Sequence, residues 1–284
     1  MSEPMTIKVC PGIGDNIWLL MKLIATKGKY HWCIQDGQPR RGKPLFDMVP
    51  HLVQSAEYEP IPGGYKTIKT RNIERVIKRW KKIKQRGGIF YLSANDHLER
   101  GKRIDHFLPD LQTHYRISYF LGGAVSPLAE DKIWIGLYGS SYSTSRAWGF
   151  WGAQKWFELA QMIHRYDPVY SFAVIGADFD TDLNTELCAM LAAAGIPHHN
   201  CIGLTLQQTA ATIQQLHYFY AFPSGLPIMA HTMGKPCTMF YPPHLAPMIN
   251  AWAKPEDIES GFYKGCLFCE PGSIFDWTKK NKWI

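Results

Sequence analysis

The chain has 284 residues, 46% of them hydrophobic and 19% charged. That is enough for two domains of ordinary size, too apolar for disorder, and unlike a collagen or a coiled coil. The formal charge of +7 is concentrated: Lys66 to Arg86 holds ten basic residues against one acid, Glu74, so the 21 bases and 23 acids elsewhere nearly cancel.

Met5 to Cys10 reads as a strand, Pro11 to Gly14 as a glycine turn, and Asp15 to about Lys27 as a helix, with Ile17, Leu20, Met21 and Ile24 at helical spacing. Tyr30 to Ile34 and Gly88 to Ser93 are further buried strands, and Gly37 to Lys43 is a loop. Asn72 to Gln85 reads as an amphipathic helix, with Ile73, Val76, Ile77, Trp80 and Ile83 on its apolar face. After Gly122 and Gly123 the pattern restarts with a strand at Lys132 to Leu137, a polar loop at Gly139 to Ser145 and a helix at Gln154 to Arg165. A strand at Tyr170 to Ile175, helices at Asp182 to Ala194 and Leu206 to Leu216, a strand at Tyr218 to Phe222, a helix at Leu226 to Met233 and a strand at Thr238 to Tyr241 follow.

This alternation predicts an α/β protein of two Rossmann-like halves with parallel sheets, residues 1–126 and 127–284. Ligands of such sheets bind at the carboxyl ends of the strands. Four loops lie there: Pro11 to Asp15, Gly139 to Arg146, Gly176 to Asp180 and Phe222 to Gly225, and they are expected to line a cleft between the halves. No apolar run approaches the about 18 residues of a membrane span, and Met1 to Pro4 does not open a signal peptide, so a soluble, cytoplasmic protein is expected. Seven cysteines, mostly in apolar segments, fit a reducing compartment.

Several segments match a known pattern in order. Ser224, Gly225, Leu226, Pro227, Met229, Ala230, Gly234, Lys235 and Pro236 form a hydroxyl-Gly turn, an alanine-bearing helix and a Gly-x-Pro. Ile202 to Leu206 precedes them, with Arg146, Trp148 and Trp156 further upstream and Gly12 to Asp15 near the N-terminus. Together these resemble glycosyltransferase family 9, the heptosyltransferase-like enzymes of GT-B architecture. The resemblance implies an inverting transfer of a sugar from a nucleotide-diphosphate sugar, a co-substrate, to an acceptor hydroxyl, with no cofactor and no metal. Two positions depart from the family: Pro223 stands for its usual Asp and Ile228 for its usual His, so contacts of those side chains are not carried over.

From the residues alone Asp15 caps a helix; the resemblance makes it the general base, with Gly14 and Asn16 beside it on the acceptor side. Ser224 and Gly225 at a helix N-terminus suit a pyrophosphate. Ser140, Ser141 and the following hydroxyls are closed by Arg146, which either holds the departing phosphate or is a surface residue. Gly176 and Asp178 complete the expected donor contacts, with Asp178 and Asp180 facing solvent or ribose and Asp182 opening a helix. Cys266 and Cys269 lack a second pair for zinc. The scattered histidines read as ordinary imidazoles, and the tryptophans as core.

The basic helix is either a solvated face or, through Arg75, Lys78, Arg79 and Lys82, the seat of a polyanionic acceptor. That acceptor is a phosphorylated glycolipid, met at the inner membrane, or DNA with a hydroxymethylated base, met in a host cytoplasm by a viral enzyme. The alternative is a non-catalytic nucleic-acid-binding protein on a degenerate GT-B scaffold. A Rossmann dehydrogenase fits less well, because Gly12-x-Gly14 lacks the third glycine.

Overall fold

The computed structural model describes residues 5–9, 13–24, 30–36, 43–50, 55–60, 89–92, 103–106, 111–139, 151–240, 251–261, 263–266 and 270–284. The chain forms two compact units, the first Met1–Phe120 with Pro247–Ala253 and the second Leu121–Ala246 with Lys254–Ile284. The return of Pro247–Ala253 to the first unit has no counterpart in the sequence reading.

The first unit runs β1 (Met5–Val9), α1 (Ile13–Leu23), β2 (Tyr30–Asp36), α2 (Lys43–Asp47), β3 (Ser55–Pro60) and β4 (Ile89–Leu92). Its four strands are parallel, in the order β3-β2-β1-β4, with Ile7 opposite Trp32 on one side and Phe90 on the other. The strand order reverses between β1 and β4, so the turn from β1 into α1 lies at a topological switch point.

The apolar spacing of α1 predicts one buried stripe, yet every residue from Asn16 to Leu23 is buried. A second layer covers the helix. His114 donates its backbone N–H to Met21 O at 2.7 Å, the Trp252 ring lies 6.2 Å from that of Trp18, and Lys22 Nζ donates to Asp105 O at 3.2 Å and Leu111 O at 3.0 Å. The returning segment is tied to the same layer, for Ile104 N–H donates to Ala251 O and Arg103 Nη2 to Ala253 O, both at 2.8 Å.

Burial pulls the Lys22 ammonium down to about 8, against a partial offset from Asp105. The folded protein therefore releases this proton before the unfolded chain does, and its contribution to stability rises with pH between about 8 and the ordinary lysine value of 10.5. Denaturant unfolding at pH 7.5 and 9.5 checks this: the wild type should gain stability relative to Lys22→Met at the higher pH, and an equal pH response of the two proteins would refute it. Burial alone would raise the Asp105 carboxyl, but hydrogen bonds from Tyr115 and Arg103 outweigh it and hold the group below the usual range.

The second unit runs β5 (Ile133–Tyr138), α3 (Ala153–Tyr166), β6 (Tyr170–Gly176), a 3₁₀ turn (Asp178–Asp180), α4 (Thr181–Ala193), β7 (His198–Ile202) and α5 (Leu206–Gln215). It continues with β8 (Tyr218–Ala221), α6 (Gly225–Thr232), β9 (Cys237–Phe240), α7 (Pro255–Glu259), β10 (Tyr263–Cys266) and α8 (Pro271–Lys280). The six strands are parallel, in the order β10-β9-β8-β5-β6-β7. Runs such as Phe172 to Ile175 are buried throughout, as expected of strands covered on both faces. Trp156, Leu159 and Ile163 of α3 and Leu183, Leu187 and Leu191 of α4 close the core. Buried tyrosines satisfy their hydroxyls internally, Tyr218 with Thr238 at 2.7 Å and Tyr220 with Thr278 at 2.8 Å.

Helix ends follow local chemistry. Thr205 and Gln208 form a capping box, Gln208 N–H donating to Thr205 Oγ1 at 3.2 Å and Thr205 N–H to Gln208 Oε1 at 3.0 Å. Gly234, at φ +83°, lets the chain leave α6, with Lys235 N–H donating back to Ala230 O at 2.9 Å.

Three strands, β3, β7 and β10, and two helices, α7 and α8, go beyond the expected elements, and α2 begins at Lys43, the end of an expected loop. The basic helix expected at 72–85 lies outside the described residues. Among the described residues no helix is long and apolar enough to cross a membrane.

Candidate functional site

In the second unit the strand order reverses between β5 and β8, so the chain leaving Gly139 and the turn Phe222 to Gly225 flank the switch point. Ser224 is the N-cap of α6, its Oγ accepting from Leu226 N–H at 3.2 Å, and Gly225 is the first helical residue. This half-exposed turn presents backbone N–H groups at the positive end of the helix. Ile228, about one helical turn further on, is buried. Ser140, Ser141 and Arg146, with Trp148, lie outside the described residues.

The next loop is built tightly. A Cβ on Gly176 would collide with the Asn184 amide and lie 2.9 Å from Asp180 Cβ, so only glycine fits at the end of β6. Asp178 is exposed, and its Oδ1 is 3.7 Å from where a Cβ of Gly203 would stand at the end of β7. Asp178 therefore stands over the ends of two adjacent strands. Asp180 differs from expectation: it is fully buried, and its Oδ2 accepts Ala177 N–H at 2.9 Å. The short loop turns this carboxylate inward to satisfy a backbone donor that would otherwise be orphaned. Asp182 lies in the first turn of α4, exposed.

In the first unit Gly14 and Asp15 are the second and third residues of α1, at the β1/β4 switch point. Gly14 is partly exposed, and the Asp15 side chain lies outside the described residues. Asn16, expected beside the acceptor, is fully buried because the second layer covers α1, so it belongs to the core. Arg75, Lys78, Arg79 and Lys82 lie outside the described residues.

Other candidates resolve into structure. Trp151 and Trp156 pack edge to face at 5.2 Å inside the core. His217 Nε2 donates to Trp283 O, 2.9 Å away, and buried His231 stands 3.7 Å from an Asp257 oxygen. Cys188 and Cys201 are free thiols pushed by burial up to about 11 and about 12, and Cys237 is raised likewise, so these three behave as small hydrophobes. Cys266 ends β10, while Cys269 lies outside the described residues. Among the described residues no three His, Cys, Asp or Glu side chains gather as metal ligands. Asn184, a buried carboxamide on an otherwise ordinary helix, carries no signal in the sequence, and Gly139, the first residue of an expected ligand loop, stands where a Cβ would collide with Trp156.

No protein-family model and no curated protein matches the chain in sequence. Solved structures do match in three dimensions. The Escherichia coli ADP-heptose lps heptosyltransferase II superposes with a TM-score of 0.62 at 14% identity, over 98% of each chain. The E. coli heptosyltransferase WaaC, solved with ADP, gives 0.62 at 9% identity over 98% of this chain and 100% of that one. A glycosyltransferase of family 9 from Veillonella parvula gives 0.61 at 12% identity over 99% and 90%. The fold is GT-B. At these identities the likeness extends to the two Rossmann-like GT-B units and their order in the chain, while individual side chains stand on their own geometry.

Proposed function

We propose that this GT-B protein is an inverting glycosyltransferase that moves a sugar from a nucleotide-diphosphate sugar to a hydroxyl of a polyanionic acceptor. The observation that carries the reading is that both switch points of a heptosyltransferase-like fold receive chemically apt residues: Gly14 and Asp15 in the first unit, and Ser224 and Gly225 in the second. In this reading Asp15 takes the proton of the acceptor hydroxyl as its oxygen attacks the anomeric carbon from the face opposite the leaving diphosphate. The N–H groups of Ser224 and Gly225, with Ser140, Ser141 and Arg146, receive the charge that develops on the leaving phosphate, and no resident metal is invoked. Gly176 lets the nucleotide approach the end of β6, and Asp178 accepts hydrogen bonds from its ribose. The acceptor is drawn by Arg75, Lys78, Arg79 and Lys82, within the segment that carries more than the whole of the molecule's net positive charge.

Incubation with a panel of nucleotide sugars, alone and with deacylated lipopolysaccharide or hydroxymethylated DNA, tests the reading by mass spectrometry. Transfer or slow donor hydrolysis supports it; silence across the panel, with retention on DNA, favours a nucleic-acid-binding protein. Arg146→Ala should weaken nucleoside diphosphate binding by about tenfold or more, as expected for a charge-assisted phosphate contact. Calorimetric titration in the presence of chelator checks this, and unchanged affinity would remove Arg146 from the site.

A further inference from the structure

Two fully buried side chains of the second unit have polar atoms without a hydrogen-bond partner: Trp156 Nε1, and both Nδ2 and Oδ1 of Asn184. Buried polar groups are ordinarily satisfied, so three such atoms in one place need an explanation. Trp156 is the fourth residue of α3 and Asn184 the fourth of α4, so both sit in the first turns of helices that begin near the carboxyl ends of β5 and β6. Each bears on a strand-end glycine, Trp156 Nε1 on Gly139 and Asn184 Nδ2 on Gly176. The strands pair with Leu137 beside Val174, which brings these glycines, two residues further on, side by side. Leu183, the neighbour of Asn184, also reaches Gly139, its Cδ2 3.1 Å from a Cβ there.

The chemistry of this place selects its occupant. The indole offers one donor, and the carboxamide offers donors and an acceptor. Buried Asp180 stands beside Gly176, which disfavours an anion. What fits is a neutral oxygen that both accepts and donates, and three protein partners is the usual complement of such a buried oxygen. We propose that Trp156 and Asn184 form an internal binding site for one hydroxyl oxygen at the paired ends of β5 and β6. That oxygen is either a permanently held water or a hydroxyl of the nucleoside part of a nucleotide donor; only the second form rests on the proposed function.

The test uses the whole protein labelled with ¹⁵N-tryptophan, the Trp156 indole being identified by its loss in Trp156→Phe. A cross-peak between that N–H and water, together with a fall of several degrees in the unfolding temperature of Asn184→Leu, assigns the oxygen to a held water. Without the cross-peak, a tenfold loss of ADP or UDP affinity in Asn184→Leu, smaller for the 2′-deoxy nucleotides, assigns it to the ligand. The absence of both a water cross-peak and any change in nucleotide affinity overturns the proposal, as does a rise in the unfolding temperature of Asn184→Leu, which would show that the carboxamide is merely tolerated. If the wild type binds no nucleoside diphosphate, the proposed function fails, and the water cross-peak alone decides the site.

Discussion

Asp15→Ala should lower sugar transfer by a factor of about 10²–10⁴ while leaving nucleoside diphosphate affinity unchanged. The expectation follows from position. Asp15 is the third residue of α1 and stands where the first sheet reverses its strand order, whereas the proposed donor contacts all belong to the second unit. A carboxylate in the first turn of a helix also has a plainer use, interaction with the helix dipole, which is worth about 0.3–1 kcal/mol. The two roles separate in measurement. A purely electrostatic cap predicts a small loss of thermal stability and near-normal turnover at saturating substrate, while a base predicts a collapse of kcat with little change in unfolding temperature. Asp15→Asn sharpens the comparison, since it keeps the shape and removes the basicity. Wild-type turnover in Asp15→Asn would end the assignment.

The largest stability effect is expected at Trp156. Its ring is fully buried, with centroids of Trp151, Phe240 and Phe222 at 5.2, 5.3 and 5.7 Å. Truncating such a side chain to alanine costs about 3–5 kcal/mol, because the lost transfer energy is joined by that of a cavity the surroundings only partly refill. For a chain of this size that is a fall of about 6–20 °C in unfolding temperature. Scanning calorimetry of Trp156→Ala measures it, and a fall below about 2 °C would mean that the aromatic cluster is not the centre of the second core. Gly139→Ala should act on the same cluster from the other side, since its Cβ meets the indole.

Strands are legible in the sequence where burial writes itself into composition. Central strands β5, β6, β8 and β9 have neighbours on both sides, and each appears as a largely apolar run. The unexpected strands β3, β7 and β10 are all sheet edges. Segments such as His198 to Ile202 and Tyr263 to Cys266 are held by one neighbour only and carry little periodic signal. The site was legible to the same degree. Gly-hydroxyl turns before helices mark Ser224 and Gly225, but strand order is not a local property, so the β5/β8 reversal appears only in the folded sheet. A D-x-D run is equally compatible with wet and buried carboxylates. The backbone N–H of Ala177 decides for Asp180, and that contact depends on the turn and not on composition. Lys22 is still less legible, because its partner carbonyls come from Asp105 and Leu111, far along the chain.

The return of Pro247–Ala253 to the first unit sets an order of events during synthesis. Trp252 against Trp18, and the carbonyls of Ala251 and Ala253 against Ile104 and Arg103, are among the contacts that complete that unit. The ribosome delivers them only after Leu121–Ala246 of the second unit, at about 5–20 residues per second, so the N-terminal unit waits on the order of ten seconds with α1 partly uncovered. The first unit therefore cannot be completed until the chain has reached Ala253, although its first 120 residues emerge first, and until then a holding chaperone would find the flank of α1 that Trp252 later hides.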